Sequence, residues 1–224
     1  MEQFLLSVLA SLVAVSMVLL FERQRRPELE FEIEPVAPVQ PNGRKFLRVR
    51  VRNRALPGFL GPLYDRQPAL MTRAWITFLT LDGHPVFTPG RRMRGRWSDT
   101  PEPFRPTPVG PDQMVLVAEP FAASNSMDIP PGEFEVLDVV MRAPGSEQCV
   151  GWSNAYQLAQ AGAPPPVGDT FVLDRGRYLV LIQAKTGGRI FPHVLRLVND
   201  VPLPDFRLEE PEQQPRLPPS ALGK

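Results

Sequence analysis

Hydrophobic positions change their spacing once along the chain, near residue 26. From Phe4 to Phe21 eighteen residues run without a charge, and Arg23, Arg25 and Arg26 follow directly. At about 1.5 Å of rise per residue such a helix is about 27 Å long, enough to cross a bilayer's hydrocarbon core with little tilt. Beyond it the period becomes two. Leu29, Phe31 and Ile33 alternate with Glu28, Glu30, Glu32 and Glu34, and Leu47, Val49 and Val51 alternate with Arg48, Arg50 and Arg52. Each run reads as a half-buried strand with one apolar and one charged face. Between them Pro35 to Gly43 is a proline-punctuated loop ending in Asn-Gly.

The opposite charges of the two outer faces predict antiparallel pairing, with Glu34, Glu32 and Glu30 beside Arg48, Arg50 and Arg52. Exposed cross-strand pairs add only about 0.2–1 kcal/mol each, but like-charge contacts penalise wrong registers. The competing reading, an arginine stripe for phosphate or anionic lipid, leaves the glutamates without a role.

Further strands are expected at Arg73 to Leu81, Gln113 to Ala118, Glu133 to Arg142, Arg177 to Lys185 and Ile190 to Val198. In the third of these, Phe134 and Val136 are in phase while Leu137, Val139 and Met141 are not, which predicts a bulge. Gly187-Gly188 supplies a tight hairpin turn. Pro192 places the last strand at an edge or bulge. Ser153 to Ala161 reads as a short helix capped by Ser153, stopped by Pro164-Pro165-Pro166. From Pro202 the chain is polar and proline-rich, expected to be disordered after a short strand near Phe206 to Leu208.

One motif narrows the fold. Asp174-Arg175-Gly176-Arg177-Tyr178 resembles the Asp-x-Gly-x-Tyr corner of immunoglobulin-like sandwiches, in which a tyrosine hydroxyl bonds back to upstream backbone. Val180 stands where antibody domains have a cysteine. The resemblance implies an all-β, antiparallel immunoglobulin-like β-sandwich of about 7–9 strands over residues 27–201. By the same analogy Trp75 takes the place of a core tryptophan. It implies architecture only, since that fold carries many roles.

The N-terminal run opens on Glu2 rather than on positive charge, and no small-x-small pattern precedes Glu22. Both features favour an uncleaved signal anchor over a cleaved signal peptide. Three arginines on the C-terminal flank predict that residues 1–26 are a membrane anchor, with the remaining domain on the cytoplasmic side. The bilayer is then the first partner, through residues 4–21.

Proline makes up 28 of 224 residues, more than twice the usual share of about 5%. The formal net charge of +1 gives no case for a nucleic-acid partner. Cys149 is the only cysteine, so no intrachain disulfide forms, and it reads as a small buried hydrophobe. Neither His84 nor His193 lies in a catalytic motif.

Residues 89–111 form the most distinctive loop, carrying Arg91, Arg92, Arg94, Arg96 and Trp97 with Asp99, Glu102, Phe104 and Arg105. Long rigid insertions are often functional, and arginines beside an aromatic suit an anion or a partner surface. The structural alternative is a lid whose arginines pair locally and whose Trp97 packs beneath. Phosphate-loop, zincin and paired-cysteine patterns are missing, and no cofactor is indicated. Asp82 with His84 is a two-ligand turn, and Asp128, Glu133 and Glu135 mark a strand entrance. The expected function is a non-catalytic, membrane-anchored interaction module binding a protein partner. The alternatives are an exported envelope-facing adhesion or ligand-binding domain, and a small hydrolase or metal-dependent enzyme.

Overall fold

A computed structural model describes residues 1–35, 42–56, 65–88, 90–110, 113–118, 125–160, 170–213 and 215. Helix α1 (Glu2–Arg25) is followed by β1 (Leu29–Ile33), β2 (Lys45–Asn53), β3 (Ala69–Leu79), β4 (Met93–Arg94), β5 (Arg96–Trp97), β6 (Phe104–Gly110) and β7 (Gln113–Ala118). Then come β8 (Ser126–Ile129), β9 (Phe134–Arg142), β10 (Cys149–Gly151), α2 (Asn154–Gln160), β11 (Val172–Leu173), β12 (Arg177–Thr186), β13 (Arg189–Val198) and β14 (Arg207–Glu209). Residues 36–41 of the Pro35–Gly43 loop and the Pro164–Pro166 stop lie outside the described residues, as do residues 216–224 of the tail.

The strands form two antiparallel sheets packed face to face. One runs β1-β2-β9-β10-β11, with β5 also on β9; the other runs β14-β13-β12-β3-β4, with β8 also on β3. Val49, Val51, Leu137 and Val139 of the first meet Ile76, Phe78, Val180, Ile182, Leu195 and Leu197 of the second in one core. Among the described residues, strands β6 and β7 pair only with each other, as a separate ribbon.

The charged stripes pair in the expected register, Glu30 opposite Arg52 and Glu32 opposite Arg50. The ion pairs run diagonally instead of straight across. Arg50 reaches Glu34 at 3.8 Å, Arg54 takes Glu30 at 3.4 Å, and Arg48 turns to Asp138 at 2.7 Å. The bulge in β9 is present, two residues beyond the phase change: Leu47 faces Val140 and Arg48 faces Asp138, leaving Val139 as the extra residue. At Gly187 and Gly188 φ is +54° and +78°, the left-handed pair that a tight hairpin requires. Trp75 does not occupy the core. It faces outward from β3, and the fully buried tryptophan is Trp97.

Packed structure continues past residue 201. A 3-10 turn at Leu203–Asp205 leads into β14, whose Leu208 is buried and pairs with Leu197.

Candidate functional site

The arginine-rich segment begins in one sheet and ends in the other. Strand β4 pairs with β3, and two residues later β5 pairs with β9. Gly95 makes the crossing, its N–H donating to the Ala74 carbonyl at 2.9 Å. A Cβ there would stand 2.8 Å from Leu137 Cδ1 and 2.9 Å from Ala74 Cβ, so only glycine fits.

Immediately after the crossing the chain turns inward. Trp97 is 0% exposed and Arg96 is 4% exposed. Arg96 donates to Asp138 Oδ2 at 3.0 Å and to the Thr100 carbonyl at 3.1 Å, and meets Glu102 at 3.2 Å. Asp138, itself 1% exposed, also accepts from Arg48 Nε at 2.7 Å and Ser98 Oγ at 2.9 Å. Two guanidiniums and a hydroxyl satisfy this buried carboxylate, although Arg96 Nε itself is buried without a hydrogen-bond partner among the described residues. Burial leaves Arg96 no face to offer a ligand.

The other three arginines have different surroundings. Arg91 is half-buried, its guanidinium 4.7 Å from the Phe171 ring and donating to the Thr170 carbonyl at 2.9 Å. Arg92 donates to Gln183 Oε1 at 3.3 Å. Arg94 is exposed, and with Arg73, Trp75, Asn125 and Ser126 it lines a polar cleft of about 320 Å³. The five residues therefore do not share a surface.

The same segment ends in the ribbon, which presents another kind of surface. Val109, Met114, Val115, Leu116 and Val117 are all exposed, on both of its faces. In β6, Pro106 faces Leu116 and Pro108 faces Met114. Proline has no N–H, so these are the positions whose backbone points away from β7. The outer edge of β6 thus lacks donors at both. On β7 it is Met114 and Leu116 whose backbone points outward, and no third strand pairs there among the described residues.

Helix α1 is apolar all round from Phe4 to Phe21, and its described side chains are exposed up to Gln24. A helix of this kind is long and apolar enough to be a membrane anchor or a signal sequence. Its last turn is held by the sandwich. Gln67 N–H donates to the Arg25 carbonyl at 2.7 Å and Arg66 Nη1 to the Arg26 carbonyl at 2.8 Å, satisfying groups that a helix end leaves open. Arg25 pairs with Glu22 at 3.8 Å, while Arg23 and Arg26 are exposed without an ion pair among the described residues. Arg66 and Arg189 join this cluster, and sequence reading missed both. They lie far from residue 26 in the chain and only the fold brings them near.

Remaining candidates are placed by packing. Cys149 is buried, and burial pushes its thiol up to about 12. His193 stacks on Phe31 with ring centres 5.1 Å apart and lies 3.4 Å from Glu210. Asp82 and His84 are exposed in a turn. Asp128 accepts from the N–H of Met71, which sits at φ +50° beside a register shift in β3. Burial raises the Glu135 carboxyl, aided by Asp99 and Glu133. No three His, Cys, Asp or Glu residues converge as a metal site among the described residues. No protein-family model matches the chain, no curated protein matches it, and no solved structure matches it.

Proposed function

We propose that the protein is a single-pass, membrane-anchored immunoglobulin-like module that binds a protein partner at the cytoplasmic face of the membrane and does no catalysis. The carrying observation is α1: an exposed apolar helix with Arg23 and Arg25 in its last turn and Arg26 at its C-cap, docked onto a β-domain. The immunoglobulin-like reading is supported by connectivity. Strands β1, β2 and β9 lie in one sheet, and β3, β12 and β13 in the other. Tyr178, at the start of β12, donates its hydroxyl to the Asp174 carbonyl at 3.1 Å, as a corner tyrosine does. The arrangement departs from that pattern where β10 and β11 follow β9 and extend its sheet.

For the partner surface the ribbon replaces the arginines. Its β7 edge has no further strand among the described residues, and apolar side chains flank it on both faces. An extended strand from a protein partner can add there, gaining main-chain hydrogen bonds and apolar contact together. Because β6 is blocked by its prolines, the ribbon offers a strand the β7 edge and not the β6 edge.

Two measurements test this. A reporter active only outside the cytoplasm, fused after Lys224, is expected to stay silent; strong signal from intact fusion favours the exported alternative. A photo-crosslinking residue at Leu116 is expected to give one discrete adduct in cells, while the same residue at exposed Val172 gives none. Equal labelling at both sites refutes the ribbon as the docking edge.

A further inference from the structure

Where α1 meets the sandwich, a cleft of about 820 Å³ opens, its walls including Leu20, Arg23, Arg26, Glu28, Arg66 and Arg189. Three separate parts of the chain build it: the last turn of α1 with its exit, the residues before β3, and the β12–β13 turn. Two of its cations are set by the sandwich. Arg66, whose side chain is 9% exposed, pairs with Glu28 at 3.1 Å while bonding the Arg26 carbonyl. Arg189 donates to the Pro27 carbonyl at 3.2 Å and lies 4.9 Å over the Phe191 ring. Arg23 and Arg26 come from the helix and are exposed. Glu28 offsets one of four guanidiniums, leaving three positive charges around one opening.

The chemistry of the wall selects a ligand. Guanidinium forks match the oxygens of a phosphate. Leu20, on the apolar length of α1, adds an acyl-compatible rim directly beside them. A small soluble anion uses the arginines and ignores the leucine. A phospholipid uses both, and the basic flank of a membrane span lies at headgroup depth. We propose that this cleft seats the phosphate of one anionic phospholipid, its acyl chains lying along α1. The proposal rests on α1 being an anchor.

The test uses the full chain in nanodiscs of mixed phosphatidylglycerol and phosphatidylcholine, with native mass spectrometry reading which lipid stays bound after ejection. One phosphatidylglycerol is expected to be retained in preference. Arg23→Gln combined with Arg189→Gln should lower that preference by about fivefold per arginine removed. Arg66 is left intact because it also holds the helix end. Equal retention of both lipids, or an undiminished preference in the double variant, overturns the proposal. Inorganic phosphate that abolishes the preference by competition also overturns it, because the site is then one for a free anion. A chain that alkaline carbonate extracts from membranes refutes the anchor itself. One that stays in the disc without lipid preference refutes only the cleft.

Discussion

Strands β12 and β7 are both apolar, and they end in opposite environments. In β12, Val180, Leu181, Ile182 and Ala184 are all 0% exposed, with β3 and β13 on either side. In β7, Met114 to Val117 are between 43% and 67% exposed, with β6 as the only strand neighbour among the described residues. Hydropathy alone does not separate the two. Position in a sheet does: β12 is central and covered, so its apolar groups stabilise the fold. Those of β7 stay in contact with water. Contiguous apolar surface left outside a domain marks a place of interaction more often than a neutral one. Burial, not composition, thus divides residues that hold the molecule together from residues free to act on something else.

That division is sharpest inside residues 90–118, where Trp97 belongs to the core and the ribbon does not. Trp97→Ala should destabilise by about 3–5 kcal/mol, read by chemical denaturation. A loss below about 1 kcal/mol would return Trp97 to the surface side of the comparison. Tyr178→Phe tests an intermediate position, half-buried against the core. Its acceptor, the Asp174 carbonyl, also receives Asn199 Nδ2 at 2.9 Å, so removing the hydroxyl does not orphan it. The expected cost is about 0.5–1.5 kcal/mol. The smallest effect is expected on the ribbon. Met114→Thr should change stability by no more than about 0.5 kcal/mol while weakening the crosslink from the photo-crosslinking residue at position 116. A larger loss of stability would mean that the ribbon is packed in the native protein, and the contrast with β12 would fall.

Local alternation made much of the sandwich legible. The Glu and Arg stripes carried the β1–β2 register, two glycines carried the β12–β13 turn, and Ser153 caps α2 through the Tyr156 N–H at 3.2 Å. Ion-pair choice was not legible, because Asp138 enters from β9, which is remote in sequence from Arg48 and Arg96. Nor was the sheet crossing at Gly95, whose need for glycine comes from Ala74 and Leu137. Arginine content suggested a surface at residues 91–97, yet two of those side chains, Arg96 and Trp97, are core. The short strand near Phe206 to Leu208 was legible and is β14; the polar, proline-rich look of the tail concealed only that Phe206 and Leu208 are buried in the core, beyond the expected domain end at residue 201. In each case the deciding partner lies at long range, beyond what periodicity records.

Only Arg26, Pro27 and Glu28 separate the end of α1 from the start of β1. Three residues span at most about 10 Å when extended. On the anchored reading, the domain has almost no freedom to wander from the bilayer. It sweeps a thin shell rather than a volume, held at a nearly fixed height and turning with its helix. For a partner that is itself a membrane protein, that fixed height would make encounter a matter of two-dimensional diffusion in the plane of the membrane.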